Sequence, residues 1–197
     1  MSDEHNLSDA TLSVMADCDL FQNFEEGSLI GLLPSFKEHK FKAAEELFHE
    51  GDESDELFII IDGTVRVTKN VGEDEDTLVT KLGPSRLCGE MAFMSANVRT
   101  TTCSFEDKGL AVSLPRTVFE ELKSESPEVY AQMLRNVGAV LSARLSSTTG
   151  ELCEFISCAR NAAKQQTVAA QELESCQQHI EKVVEALGSS QAIVEEE

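Results

Sequence analysis

Positive charge is scarce in this chain. Its 197 residues carry 16 lysines and arginines against 36 aspartates and glutamates, a formal net charge of −20. Such a surface repels nucleic acid and anionic membrane well beyond contact distance, so binding to DNA or to a charged bilayer is disfavoured before any motif is considered. No long apolar run is present, which leaves no candidate membrane span. The start, Met1-Ser2-Asp3-Glu4, has no basic and apolar leader, so no secretion signal is expected.

Other absences narrow the chemistry. There is no Gly-x4-Gly-Lys loop, no Gly-x-Ser-x-Gly elbow and no EF-hand pattern. The four histidines, at 5, 39, 49 and 179, are scattered, and none stands where a base beside a nucleophile is expected. The chain therefore reads as a non-enzyme with no catalytic residue and no prosthetic group. Six cysteines form no C-x-x-C pair. They are expected to be reduced, small buried residues of a cytoplasmic protein. Cys153, Cys158, Cys176 and His179 could in principle hold zinc, but their spacing fits no ordinary finger, and no metal is expected.

What is present is enough for one full domain and an extension. A hydrophobic content of 41% supports a real core. Residues 1–17 are polar and acidic and read as a loose or partly helical arm. Apolar residues between Leu20 and Leu33 suggest one or two short helices, interrupted by Pro34. From Phe41 to Leu114 short apolar runs alternate with Gly, Asp and Asn, the texture of an all-β roll. Within it Leu57 to Ile61 is a buried strand, and Asp62-Gly63 followed by Val65 and Val67 reads as a two-residue hairpin.

Helical periodicity returns after Pro127. Leu152, Phe155, Ala159, Ala162, Gln166, Ala169, Leu173, Cys176, Ile180, Val183 and Leu187 recur in alternating steps of three and four, a coiled-coil seam. Gly150 stands where this helix either continues from the one before it or breaks. The alternative to self-association is a helix folded back on its own domain. The last residues, 188–197, read as frayed.

The stretch Cys88-Gly89-Glu90-Met91-Ala92-Phe93-Met94-Ser95-Ala96-Asn97-Val98-Arg99-Thr100-Thr101-Thr102-Cys103 carries the most chemistry. One glycine, one carboxylate and one guanidinium stand on a short apolar segment that runs into hydroxyl-bearing residues. Glu90 and Arg99 are nine positions apart, too far for a helical ion pair, so they converge only across a loop. An arginine can grip a phosphate through two parallel donors, a carboxylate can accept from a sugar hydroxyl, and Gly89 allows close backbone approach. A sugar phosphate suits such a site. In so acidic a chain the site must be locally basic, and Arg86 and Arg99 could supply that.

This order of residues resembles the phosphate-binding cassette of cyclic nucleotide-binding domains, the module of the catabolite activator family, protein kinase regulatory subunits and nucleotide-gated channels. Val98 replaces a frequent proline and Cys88 a frequent aromatic. Glu50-Gly51-Asp52, Leu57 to Ile60, Asp62 to Val65 and Leu82-Gly83-Pro84 look like the corresponding parts of that roll, so the resemblance covers about residues 18–148. It implies a mainly β fold with flanking helices and an eight-stranded β-roll, to which the three-four stripe adds a long C-terminal helical extension over residues 149–197. It also implies that Gly89, Glu90, Met91, Ala92, Arg99, Thr100 and Thr101 bind a cyclic nucleotide, with Glu90 on the ribose 2′-hydroxyl and Arg99 on the cyclic phosphate. The Thr100 hydroxyl suits cyclic AMP or cyclic GMP. The expected protein is a regulatory sensor without a DNA-binding domain, homodimeric through its C-terminal helices and signalling to an unidentified protein partner. The rival reading is a scaffolding dimer whose roll has lost its ligand.

Overall fold

The computed structural model describes residues 7–24, 26–72, 76–95 and 98–194. Two compact units divide after Ala143, residues 1–143 and 144–197. The first holds eight antiparallel strands in two four-stranded sheets. One sheet orders β1 (Lys37–Phe41), β8 (Gly109–Pro115), β3 (Glu56–Asp62) and β6 (Leu87–Cys88). The other orders β2 (Glu46–Phe48), β7 (Thr102–Phe105), β4 (Val65–Asn70) and β5 (Asp76–Leu82). This is the expected β-roll.

β3 shows why its five apolar residues run without a polar break. Phe58 and Ile60 point between the sheets, into a core with Phe48, Val65, Val67, Cys88, Cys103, Phe105 and Ala111. Leu57, Ile59 and Ile61 point the other way, into a second core built with the helices. A strand covered on both faces carries no alternation. Each such side chain contributes about 1.5–3 kcal/mol of burial free energy. β5 is the opposite case: an edge strand exposed over nearly its whole length.

The Asp62-Gly63 turn departs from the hairpin expectation. β3 and β4 lie in different sheets and do not pair. Gly63, at φ +90°, turns the chain from one sheet to the other. The sequence-adjacent pair that does form a ladder is β4 with β5, joined through the acidic loop. Tertiary pairing decided this, because a two-residue turn signal cannot tell a hairpin from a corner between sheets.

Helices close the outer face of the first sheet. α1 (Asp9–Ala16) is capped by the Ser8 hydroxyl, which accepts from the Thr11 amide at 3.1 Å, and it buries Met15 fully. Residues read as an acidic arm thus contribute to the core. A 3-10 turn at Asp19–Phe21, α2 (Glu26–Leu32), α4 (Arg116–Glu125) and the start of α5 (Pro127–Val194) complete the layer. Asn136 on α5 donates at 2.8 Å to both the Leu20 and Gln22 carbonyls.

The second unit is the continuation of α5. Gly150 does not interrupt the helix. Leu152, Phe155, Leu173 and Ile180 of the predicted seam are exposed, as are Cys153, Cys158 and Cys176, against the expectation that all six cysteines are buried. Cys18, Cys88 and Cys103 are buried. The side chains of Val183 and Leu187 lie outside the described residues. No helix among the described residues is long and apolar enough to cross a membrane.

Candidate functional site

The site is built where β6 ends. Gly89 follows Cys88 with φ +81°, a left-handed conformation that side chains rarely adopt. That turn aims the chain into α3 (Glu90–Ser95). The Gly89 carbonyl accepts from the Phe93 amide at 3.1 Å, closing the first helical turn, and also from Arg99 Nη1 at 3.1 Å. A Cβ on Gly89 would overlap Arg99 Nη1. Glycine is therefore required twice, by backbone conformation and by the guanidinium beside it.

Arg99 is held by its backbone as well. Its amide donates to the Asp52 carbonyl at 2.8 Å, and its carbonyl accepts from the Gly51 amide at 2.9 Å. The Gly51-Asp52 turn between β2 and β3 therefore fixes where the side chain starts. From there the guanidinium runs inward and is only 4% exposed. Nη2 donates to the Glu56 carbonyl at 2.7 Å, and Cζ lies 4.1 Å from the Phe48 ring centroid and 5.8 Å from that of Phe58. Both hydrogen-bond partners are main-chain carbonyls. Nε is buried and finds no acceptor among the described residues. Burial lowers the proton affinity of this guanidinium, and the sulfurs of Cys88 and Cys103 and the Glu56 carboxylate act against that loss.

Of the other predicted residues, Glu90 is 2% exposed at the start of α3 and Ala92 is equally buried. Met91 is 55% exposed. Thr100 is exposed, and its carbonyl accepts from Lys69 Nζ at 2.9 Å; Thr101 is half-buried. Arg86, read as a possible source of local charge, instead meets Asp19 at 3.2 Å. Ala96 and Asn97 of the cassette lie outside the described residues.

Several contributors were not legible. Arg116, the first residue of α4, donates through Nη2 to the Ser54 carbonyl at 2.7 Å and to the Ala92 carbonyl at 2.9 Å, and it lies over Phe93. It ties α3 to the segment before β3 and places a second guanidinium in electrostatic contact with Arg99. Within a chain of net charge −20 the two guanidiniums form a locally basic spot. Glu50, Lys69 and Thr102 frame the exposed side: Lys69 meets Glu50 Oε1 at 2.6 Å and the Thr102 hydroxyl accepts from the Glu50 amide at 3.0 Å. Lys69 and the Asn70 amide hold the Glu50 carboxyl below the usual carboxylate range. Phe48 and the Glu56 carbonyl left no signal, since every residue has a carbonyl and an aromatic in a strand reads as core.

Residues 38–126 match the family described as the cyclic nucleotide-binding domain. Over 143 residues the chain is 29% identical to a CRP-like cAMP-activated global transcriptional regulator of Mycobacterium tuberculosis, covering 73% of this chain and 62% of that protein. It thus spans less than two thirds of the length of that relative. Among solved structures, it resembles the N-terminal domain of a transcriptional regulator from Streptomyces coelicolor at 25% identity and a TM-score of 0.60, over 66% of this chain and 94% of that one. It also shares the fold of the regulatory domain of Toxoplasma gondii PKA crystallised with cAMP, at 23% identity and a TM-score of 0.53, over 57% and 42% of the two chains.

Proposed function

We propose, from the match of residues 38–126 to the cyclic nucleotide-binding domain family, that this chain senses cyclic AMP, or cyclic GMP, and reports it through α5 to a protein partner. One observation carries the reading: Arg99 is a buried guanidinium whose Nε has no acceptor among the described residues. A buried donor without a partner costs about 1–3 kcal/mol, more when charged, and a phosphate oxygen removes that cost. Among the described residues, the hydrogen-bond partners Arg99 does have are carbonyls.

In this reading Arg99 holds the cyclic phosphate and Glu90 accepts from the ribose 2′-hydroxyl. The Gly89, Met91 and Ala92 backbone and the Thr100 and Thr101 hydroxyls complete the cradle. The Gly89 carbonyl serves both Arg99 and the first turn of α3, so a shift of the guanidinium toward phosphate is felt by α3. The Ala92 carbonyl of α3 is held by Arg116, the first residue of α4, which leads into α5. Ligand then biases the placement of α5, a population shift between two arrangements. The exposed apolar stripe Leu152, Phe155, Leu173 and Ile180 supports pairing of α5 with a second copy. Six free thiols, three of them exposed, support a reducing, cytoplasmic setting.

One observation favours the rival scaffold. Arg99 is 4% exposed and already bonded to two of the chain's own carbonyls, as a ligand-free roll would hold it. Isothermal titration of the full chain with cyclic AMP and cyclic GMP, on wild type and Arg99→Ala, separates the two. The sensor gives heat with wild type and an affinity loss of about 100-fold or more in the variant, near 2.7 kcal/mol. Silence of the wild type toward both nucleotides leaves the scaffold.

A further inference from the structure

Cys88 and Cys103 are buried thiols that no part of the nucleotide reading uses. They stand at the two ends of the cassette, fifteen positions apart, and their sulfurs meet at 3.0 Å. Each belongs to a different sheet: Cys88 to β6, in the sheet of β1, β8 and β3, and Cys103 to β7, in the sheet of β2, β4 and β5. The contact therefore bridges the two layers of the roll through its inner core. Its place is specific, because Gly89, the residue after Cys88, supplies the carbonyl that receives Arg99 Nη1.

We propose that Cys88 and Cys103 form a redox-convertible pair, a dithiol that closes to a disulfide and thereby weakens nucleotide binding at the cassette it spans. A disulfide bond is about 2.05 Å long, so closure draws the sulfurs together by about 1 Å from their present contact. Moving Cys88 moves Gly89, whose carbonyl lies 3.1 Å from Arg99 Nη1 in the dithiol form.

The oxidant is a peroxide. One sulfur, as thiolate, attacks a peroxide oxygen; the S–O bond forms, the O–O bond breaks, and the departing hydroxide takes up the thiol proton as water. The second sulfur then attacks the first. The S–S bond forms, the S–O bond breaks, and the second hydroxide leaves with the second thiol proton as another water. Two thiols are oxidised by two electrons and hydrogen peroxide is reduced to two waters. The Arg99 guanidinium interacts electrostatically with both sulfurs.

The test uses the full chain with the exposed Cys153, Cys158 and Cys176 changed to Ser. After hydrogen peroxide and N-ethylmaleimide blocking, a non-reducing peptide map is expected to show Cys88 linked to Cys103, two hydrogens lighter, with Cys18 alkylated on unfolding. Dithiothreitol should reverse the change. Recovery of both residues as alkylated thiols, or as sulfinic acids without a link, overturns the pair. The second arm rests on the nucleotide reading: oxidation should raise the Kd for cyclic AMP threefold or more, restored by dithiothreitol, and an unchanged Kd overturns the coupling. A Cys88→Ser/Cys103→Ser chain should bind with peroxide-insensitive affinity, and because both arms are read on chains with both cysteines present, a misfolded double variant does not decide them. If the reduced chain binds no nucleotide, the sensor reading fails while the peptide map still judges the pair.

Discussion

Arg99 and Gly89 occupy each other's space: Nη1 donates to the Gly89 carbonyl at 3.1 Å and fills the volume a Cβ on that glycine would need. The pair couples the one residue that must lack a side chain to the one that must have a long charged one. Neither can be varied alone.

Gly89→Ala should therefore damage both fold and site. The left-handed φ of +81° costs about 1–3 kcal/mol for a side-chain-bearing residue, and the new Cβ drives the guanidinium off its carbonyl. A lower urea midpoint together with a nucleotide affinity reduced at least tenfold is the expected result. A wild-type Kd in a folded variant removes the proposed role of Arg99.

Asn136→Ala tests how the first turns of α5 are anchored. Its side chain is buried and donates to two carbonyls, with its own oxygen receiving Gln132 Nε2 at 2.9 Å. Truncation leaves those carbonyls without that donor, and unfolding free energy should fall by about 1–3 kcal/mol. Urea denaturation of the full chain measures it, and a change below about 0.5 kcal/mol, typical of surface positions, contradicts the anchoring role.

Cys18 predicts an alkaline loss of stability. Burial raises its thiol to about 11 in the folded chain, while an unfolded thiol titrates near 8.5. Below about pH 8.5 both states keep the proton and the contribution is whole. As pH rises toward 11 the unfolded state releases its proton first, and on the order of 2–3 kcal/mol is lost. The difference between wild type and Cys18→Ala, followed by denaturation from pH 7 to 10.5, isolates this group. A pH-independent difference contradicts it.

Leu173→Glu tests the seam on α5. Leu173 is exposed on the single chain, and a carboxylate at this position of a paired helix places like charges face to face. Light scattering should give twice the 21.6 kDa chain mass for wild type and the single mass for the variant. Wild type at 21.6 kDa ends the pairing proposal.

Much of this was written in the chain itself. The apolar run at 57–61, the turn residues before it and the order of Gly89, Glu90 and Arg99 sufficed to place strands and roll, because local propensity, burial pattern and glycine requirement all agreed there. The three-four stripe after residue 127 likewise announced a long helix. Other features depended on which segments meet in space. Asp62-Gly63 became a corner between sheets, since strand pairing is chosen by the whole roll and not by the turn. Residues 9–16 joined the core through Met15 because the outer face of β3 needed covering. Above all, the surroundings of Arg99 are two main-chain carbonyls, two aromatic rings and two sulfurs from opposite sheets. Carbonyls have no letter in a sequence, and side chains forty or more positions apart become neighbours only when the two sheets close. Residue type determined what Arg99 could grip, and tertiary packing decided how deeply it is buried and what stands beside it.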